Sequence, residues 1–309
     1  MVDSKPPNTP ICEMVGFVFT NYNNSQLTIQ AIQSIFASPL SARCFVVIVD
    51  NCSGNEETKI LSGAQCISHN ICIIENKQNV GYFRGLNIGI KYLRNRFSGL
   101  NTIVIGNNDL VFPTDFVDSL DCNKHLFANC PVISPDIIAL DDAHQNPHVI
   151  KDISRFRELI WDVYFSNYYL ALAIKKIASA ARFITNRKDY QEYQIARHIY
   201  QGYGACYILT ECFFDYFELL WAPTFLMGEE FFLAKQIESK GFQMYYEPSI
   251  SVQHHDHATM SKLPSRRLWE ITKTYHKIYR KFITPYSVDM NRKYGYLDYL
   301  EEQQKVKNE

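Results

Sequence analysis

The first half of the chain alternates short apolar segments with amphipathic ones, and each apolar segment ends abruptly in a polar cluster. The segment 102–105 shows this most clearly, because its β-branched residues are followed at once by Gly106-Asn107-Asn108-Asp109. A helical pattern over about 82–96 leads into it. Three further apolar segments precede it, at residues 14–20, 44–49 and 71–74. Strands that alternate with helices of about ten to fifteen residues predict a mostly parallel, doubly wound α/β sheet.

The polar clusters are expected to meet, because the carboxyl ends of parallel strands share one edge of the sheet, where ligands bind in open α/β folds. Asp109 supplies a carboxylate there, and oxygen ligands suit a divalent cation that carries a diphosphate. Asp50 follows a fully apolar strand and can accept hydrogen bonds from a ribose or from a base N–H. The alternative for both is local: turn chemistry at Asp109, and capping by Asp50 of the helix after Gly54.

Two helices are predicted to begin at this edge. Ser25 is expected to cap the first of them, in which isoleucines recur at helical spacing. Asn79-x-Gly81 opens the second, where a glycine lets a diphosphate approach the helix N-terminus and Arg84 adds a charged donor. A plain helix start is the alternative for Asn79 and Gly81.

Composition argues against several classes of protein. The formal net charge of −1 gives no electrostatic reason to expect nucleic acid as a partner. Nine scattered cysteines, without a Cys-x-x-Cys pair, argue against a disulfide framework or a structural zinc site. Residues 1–10 are polar and proline-rich, so no signal peptide is predicted. The sequence has no run of about 18 apolar residues, so no membrane-spanning helix is predicted. The expected location is the cytoplasm.

Four motifs between Thr20 and Asp109 carry a resemblance to a known family. They are Thr20-x-Tyr22-Asn23, Val49-Asp50-Asn51-x-Ser53, Asn79-x-Gly81 with Asn87-x-Gly89-Ile90, and Asn107-Asn108-Asp109. Their order and spacing resemble family 2 of the inverting nucleotide-sugar glycosyltransferases, which have the Rossmann-like GT-A fold. The resemblance is closest to rhamnosyltransferase-type members that build bacterial surface polysaccharides such as O-antigen or capsule. It continues through Gly204-Ala205-Cys206, Glu229-Glu230 and Val252-x-His254.

The resemblance implies roles for these residues. Asp109 would be the metal-binding aspartate, holding Mg²⁺ or Mn²⁺ together with His254, and Asp50 would bind the nucleoside. The other nucleotide-sugar contacts would come from Thr20, Tyr22, Asn51, Asn79, Gly81, Arg84, Asn87, Asn107 and Asn108. The two asparagines before Asp109 depart from the family pattern and add no charge to a metal site. For the cluster His254-His255-Asp256-His257, an ordinary polar loop is the alternative.

The resemblance also implies a displacement at an anomeric carbon by an acceptor hydroxyl. Such a reaction needs a base for the hydroxyl proton and a cation or other donors for the leaving diphosphate. Glu230 is the expected base, and Glu229 is expected to orient the acceptor or the loop. The choice between them stays open, because the family commonly has aspartate at the second position. The alternative is that both acids only favour the dipole of the helix they begin.

Two stretches lie outside the sheet pattern. Residues 160–184 combine aromatic and aliphatic residues with Lys175, Lys176 and Arg182, and residues 262–282 repeat this composition. Both are interpreted as amphipathic helices, which either lie on an anionic membrane or pack on the core or across a dimer interface. Membrane contact fits the polyprenyl-linked acceptor that the resemblance implies, on the inner face of the cytoplasmic membrane.

The expected organisation is a GT-A domain over 12–260 and a helical tail over 261–309. Residues 1–122 would bind the nucleotide sugar, and 123–260 would bind the acceptor and carry a helical insertion at about 151–200. The expected function is metal-assisted hexosyl transfer from dTDP-rhamnose or a UDP-hexose to a lipid-linked or growing glycan, with oligomerisation open. One alternative is a non-catalytic nucleotide-sugar-binding relative in an assembly complex. Another is a nucleotidyltransferase, although residues 20–25 lack the Gly and Lys expected of one.

Overall fold

The computed structural model describes residues 13–151, 155–180, 192–255 and 265–282. Within these ranges the strands are β1 Val15–Asn21, β2 Cys44–Asp50, β3 Ile71–Glu75, β4 Ile103–Asn107, β5 Leu110–Val111, β6 Val132–Ala139, β7 Arg197–Ile199, β8 Cys206–Leu209 and β9 Met244–His254. The helices are α1 Ser25–Phe36, α2 Asn55–Ser62, α3 Tyr82–Arg96, α4 Phe116–Cys122, α5 Arg155–Ser166, α6 Tyr168–Ala180, α7 Glu211–Tyr216, α8 Glu229–Glu238 and α9 Ser265–Phe282. Short 3₁₀ turns cover Ser41–Arg43, Gly63–Cys66 and Lys124–Leu126.

All the strands belong to one sheet, in the order β3-β2-β1-β4-β8-β6-β9-β5, with β7 paired to β9. The first four are parallel to one another. Every residue of β2 is buried, because helices cover both faces of the sheet. Alternate residues of β1 divide between two apolar clusters, with Phe17 and Phe19 on one face and Val18 on the other. The predicted α/β fold with a mostly parallel sheet and flanking helices is confirmed.

The second half of the sheet joins the first through β8, which runs antiparallel to both β4 and β6. The long strand β9 is parallel to β6 and antiparallel to β5. In this register Leu110 pairs with His254, and the backbone N–H of His255 donates to the carbonyl of Asp109. The pairing therefore brings the end of β9 against the polar cluster that follows β4.

The start of α1 differs from the prediction. Ser25 is the first residue of the helix instead of its cap, and its hydroxyl oxygen accepts a hydrogen bond from Asn21. The backbone N–H of Ser25 donates instead to Glu57 of α2, at 2.7 Å. A carboxylate from another helix thus accepts from the N-terminus of α1, where the sequence predicted capping by a local hydroxyl.

Helix α9 packs inward on α5 and α8, around a third apolar cluster. That cluster contains Trp221, Phe231, Phe232, Tyr279 and Phe282. Four residues considered in the sequence analysis lie outside the described residues: Arg182, Asp256, His257 and Lys262. Among the helices of the described ranges, none combines the length and apolar character needed to cross a bilayer.

Candidate active site

A cavity of about 390 Å³ opens where the polar strand ends meet the start of α8. Of the residues predicted for the site, the structure brings these to its wall: Thr20, Tyr22, Asn51, Asn79, Gly81, Asn107, Asn108, Asp109, Glu229, Glu230 and His254. The register of the parallel strands explains much of this, since Thr20 on β1 pairs with Asn107 on β4. Side chains far apart in the sequence therefore share one opening.

A network of amides and hydroxyls lies beneath the strand ends. The Asn108 side-chain N–H₂ donates to Asn21 Oδ1 at 3.2 Å and to Thr28 Oγ1 at 2.7 Å. Asn21 in turn donates to the Asp50 carboxylate at 2.7 Å. Asn108 is thus held by its neighbours in the sheet, and its amide group is already hydrogen-bonded inside the protein.

Asp50 lies beside this cavity but not on its wall. Its side chain is buried and accepts hydrogen bonds from Asn21 and from the backbone N–H and hydroxyl of Ser53. It borders a second cavity, of about 420 Å³, together with Ser53 and Asn76. Asp50 therefore borders the second cavity, while the adjacent residue Asn51 lines the first.

Asp109 and His254 face each other across the junction of β5 and β9. Both are buried, and Asp109 Oδ1 lies 3.2 Å from His254 Nε2. Gln145 Oε1 lies 2.8 Å from His254 Nδ1 and can only accept, so in a neutral ring Nδ1 carries the proton and the lone pair of Nε2 faces Asp109. Asp109 Oδ1 has no hydrogen bond from any of the described residues.

This pair fits a hard divalent cation. Two acceptor atoms that face each other in a buried place repel unless a proton or a cation lies between them. Carboxylate oxygen and imidazole nitrogen both ligate such ions. In the described part of the chain, no group of three or more His, Cys, Asp or Glu side chains is close enough to hold a metal. Asp109 and His254 would therefore hold the ion with oxygen ligands from a diphosphate or water.

The two glutamates stand on the opposite wall, at the start of α8. The loop before them turns through two left-handed residues, Met227 with φ of 79° and Gly228 with φ of 76°. A Cβ atom at Gly228 would lie 1.9 Å from the ring of Tyr275 on α9. Glycine is thus required there both by the backbone and by the neighbouring ring. The position of the glutamates depends on how α9 packs.

Glu230 reaches the cavity beside Gly204, whose backbone N–H donates to its carboxylate. A Cβ atom at Gly204 would lie 2.5 Å from Glu230 Oε1, so only glycine permits this approach. Glu230 is half-buried, whereas Glu229 is buried and its Oε1 has no hydrogen-bond partner among the described residues. The carboxylate that faces the opening with a fixed orientation is that of Glu230.

Burial shifts the protonation of both acids. It raises the pKa of Glu229 to about 8, with the nearby charge of Glu230 as the second cause. Burial also raises the pKa of Glu230, against the hydrogen bond from Gly204, which lowers it. A raised carboxylate pKa moves proton exchange towards neutral pH, which suits general acid–base chemistry.

The N-terminus of α3 differs from the predicted open diphosphate site. The backbone N–H of Tyr82 donates to the carbonyl of Phe225 at 3.0 Å. Gly81 has φ of 94°, and a Cβ atom there would lie 2.2 Å from that carbonyl oxygen. Asn79 Oδ1 accepts from the N–H of Gly81. The glycine therefore admits the loop before α8, although Asn79 and Gly81 both border the cavity.

Arg84 and Asn87 are not brought to the cavity wall. Arg84 donates to the carbonyl of Ala222 at 3.2 Å. Asn87 donates to the carbonyl of Leu220 and accepts from its N–H, both at 2.8 Å. Both residues thus fasten α3 to the segment that leads to α8.

Sequence reasoning did not select four residues that shape the site. Tyr82 and Tyr203 line the cavity, Gln145 holds His254, and Tyr275 contacts Gly228. Tyr82 was within reach of the sequence, because it directly follows the Asn79-x-Gly81 motif. Gln145 and Tyr275 carry no sequence signal, since each meets its partner only through the pairing of β9 or the packing of α9.

Comparison with known proteins follows the same motifs. Residues 17–120 match the family model described as glycosyl transferase family 2. A search of curated proteins finds no significant match. The structure is similar to the Pyrobaculum calidifontis mannosyltransferase PcManGT, solved with GDP-Man and Mn²⁺. The TM-score is 0.53 at 12% identity, over 89% of this chain and 68% of that one.

A second similar structure is GalNAc-T7, solved with UDP, GalNAc and Mn²⁺. The TM-score is 0.50 at 12% identity, over 78% of this chain. The alignment spans 43% of the GalNAc-T7 chain. At this identity the two structural similarities support the fold alone. The family match covers the motifs between Thr20 and Asp109 that border the cavity. Residues 17–120 therefore match the glycosyl transferase family 2 model, and the chain has a fold similar to that of these two structures.

Proposed function

We propose that the chain transfers a hexosyl group, with inversion, from a nucleoside diphosphate sugar to an acceptor hydroxyl. The observation that carries this proposal is the arrangement of one cavity. Asp109, with an unsatisfied buried oxygen, lies on one wall, and Glu230, held by Gly204, lies on the other. In an inverting displacement the leaving diphosphate lies on one side of the reacting carbon, and the attacking hydroxyl with its base lies on the other.

The diphosphate belongs on the side of Asp109 and His254. Mg²⁺ or Mn²⁺ bound there would neutralise the charge that develops on the leaving diphosphate. Asn107 lies close to His254, with its Nδ2 3.3 Å from Nε2, and contributes a neutral polar group. The use of Mn²⁺ is consistent with the two similar structures, each of which was solved with that ion.

Glu230 is the proposed base. Its carboxylate takes the proton of the acceptor hydroxyl while the hydroxyl oxygen bonds to the anomeric carbon and the bond to the diphosphate breaks. Glu229 lies buried beside it, with its own pKa raised by burial and by the charge of Glu230, and would orient the start of α8. Phe225, Leu226 and Met227 border the same opening and offer an apolar lip to the acceptor.

For the donor we propose dTDP-rhamnose or a UDP-hexose. For the acceptor we propose a polyprenyl-linked or growing bacterial glycan, as in O-antigen or capsule synthesis. The reaction would take place at the cytoplasmic side of the membrane. These assignments come from the motif resemblance, with residues 1–122 as the donor half and 123–260 as the acceptor half.

Thermal unfolding with UDP, dTDP, GDP and CDP, each with and without Mn²⁺, tests the donor site. A nucleotide at a hundred times its dissociation constant should add about 2.7 kcal/mol to the free energy of unfolding. We expect a shift with one nucleotide that depends on Mn²⁺ and is reduced by Asp109→Asn. No shift with any nucleotide would contradict the proposal.

The second candidate is a non-catalytic nucleotide-sugar-binding relative in an assembly complex. The presence of asparagine at positions 107 and 108 favours it, because the metal side then has one carboxylate. It predicts the same nucleotide shift but no transfer and no donor hydrolysis. A transfer assay with the nucleotide sugar that gives the largest shift separates the two.

A further inference from the structure

Helix α5 carries an apolar stripe that no described part of the chain covers. Phe156, Leu159, Ile160 and Val163 follow the spacing of one helix face, and Phe156 is 73% exposed. Exposed apolar side chains scattered singly are ordinary, but a continuous stripe is characteristic of a binding surface.

Helix α6 extends this surface. Among its described side chains only Ala171 is buried, while Tyr169 is 73% and Ile177 is 68% exposed. We call the combined surface the hairpin face. It consists of Phe156, Leu159, Ile160, Val163, Tyr169, Leu170, Leu172 and Ile177.

The charges of the hairpin are divided between its two sides. Its two described carboxylates, Glu158 and Asp162, turn inward and form ion pairs with Arg280 of α9 at 2.5 and 2.6 Å. The exposed charged side chains of the described hairpin are Arg157, Lys175 and Lys176, all cations. An exposed apolar surface that also carries exposed cations, with its carboxylates turned inward, is complementary to anionic lipid headgroups.

We propose that the hairpin face lies on an anionic bilayer, with α5 and α6 in the plane of the interface. Helix α6 has 13 residues. It is therefore about 20 Å long, shorter than the hydrocarbon core of about 30 Å, so it rests at the surface without crossing. Tyr169 and Phe156 supply the aromatic side chains that favour the interfacial region.

The hairpin is packed directly against the elements that position Glu229 and Glu230. Trp161 of α5 packs on the cluster that contains Phe231 of α8, and α9 places Tyr275 against Gly228. Resting on the proposed function, this inference sets the acceptor wall of the cavity next to the membrane. A lipid carrier in that bilayer would then lie on the side of the protein where α5 packs with α8 and α9.

Vesicle flotation of the full chain tests the inference. The vesicles are phosphatidylcholine with and without phosphatidylglycerol. We expect the chain to float with the anionic vesicles, and Phe156→Ser combined with Ile177→Ser to reduce the bound fraction about tenfold or more. Lys175→Gln combined with Lys176→Gln should reduce it and remove its dependence on salt. Leu140→Ser, at a 66% exposed leucine after β6, is the matched control and should bind normally.

Three outcomes would overturn the inference. The chain does not float with anionic vesicles, or the Phe156/Ile177 variant floats as well as the Leu140 variant does. In the third, sedimentation velocity shows self-association that the Phe156/Ile177 variant abolishes, which makes the face an interface between two copies. The nucleotide-dependent thermal shift, measured on the same samples, reports on the proposed function separately, because neither variant touches the cavity.

Discussion

The two walls of the cavity are built in different ways. The wall proposed for the donor, which we call the donor wall, comes from the ends of neighbouring parallel strands, where register alone puts Thr20 opposite Asn107. The wall proposed for the acceptor, the acceptor wall, is held by distant elements: Gly204 precedes β8 and donates to Glu230, and Tyr275 of α9 packs on Gly228. One wall follows from the sheet, and the other depends on long-range packing.

This difference extends to energetics. Beneath the donor wall, hydrogen bonds join Asn21 to Asn108 and to Asp50, so these polar groups are satisfied within the protein. On the acceptor wall two left-handed residues precede two buried acids with raised pKa values. Backbone strain and buried charge are tolerated where the chemistry needs them. The unfavourable features described here, left-handed residues and buried acids, therefore lie in the acceptor wall.

The largest expected effect is the loss of the base. Glu230→Gln should lower the transfer rate by about 10² to 10⁴. The nucleotide-induced thermal shift should persist, because the amide keeps the shape of the side chain and can still accept from Gly204. Glu229→Gln is the matched control and should lose less. A larger loss with Glu229→Gln would move the base to that residue.

The pH dependence should distinguish the acceptor wall next. A base works only when ionised, and burial raises the pKa of Glu230 above the 4.5 that is usual for glutamate. The transfer rate at saturating donor should therefore fall about tenfold per pH unit below that raised pKa. A profile of kcat whose acid limb lies at or below the ordinary glutamate pKa would contradict this.

The same raised pKa values affect stability with a definite sign. The folded state holds a proton on Glu229 between the unfolded value of 4.5 and about 8, whereas the unfolded state does not. The free energy of unfolding should therefore decrease as pH rises through that window. Denaturant titrations across it should show a smaller slope with pH for Glu229→Gln.

Gly228→Ala should test the packing that holds the acceptor wall. Alanine at a φ of 76° is strained, and its Cβ would collide with Tyr275. Gly241→Ala is the matched control, with φ of 82° and no atom within 4 Å of the added Cβ. We expect about 1 kcal/mol of destabilisation for Gly241→Ala, and roughly 1 to 3 kcal/mol more for Gly228→Ala.

Transfer activity should fall with Gly228→Ala and not with Gly241→Ala, because only the former displaces the glutamates. Denaturant unfolding and the transfer assay measure the two effects. Equal destabilisation by both substitutions would mean that α9 yields to the new methyl group, and the acceptor wall would then be less tightly held than described.

Asn87→Ala and Arg84→Ala should have the smallest effect on nucleotide binding, and they test where the donor wall ends. It removes two hydrogen bonds to Leu220, which should cost about 1 to 3 kcal/mol of stability. Arg84→Ala, on the same exposed turn region of α3, should cost less than about 0.5 kcal/mol. Nucleotide-induced thermal shifts should be unchanged in both. A weaker nucleotide-induced shift with unchanged stability would indicate that these residues do contact the nucleotide.

Much of the donor wall was predictable from the sequence. The helix expected over 82–96 is Tyr82–Arg96, and the strand expected over 44–49 is Cys44–Asp50. These elements are readable because a buried parallel strand is apolar throughout and a helix on its face keeps a regular period. The placing of polar clusters at one edge follows from the parallel arrangement itself.

Local reasoning failed where another element supplied the partner. Ser25 was expected to cap α1, but Glu57 receives its backbone N–H. Gly81 was expected to admit a diphosphate, but the carbonyl of Phe225 occupies the approach. In each case the polar group that satisfies the helix end comes from a segment distant in sequence, which no local motif records.

The amino-acid pattern predicts an α/β sheet, polar residues at the ends of its strands, and amphipathic segments over 160–184 and 262–282. It does not predict that α9 turns its aromatic side inward, or that α5 and α6 leave Phe156 and Tyr169 exposed, which follows from the tertiary packing. The physical reason is that periodicity reveals an apolar face but not its partner. What covers that face depends on contacts between elements far apart in the chain, such as the ion pair of Glu158 with Arg280.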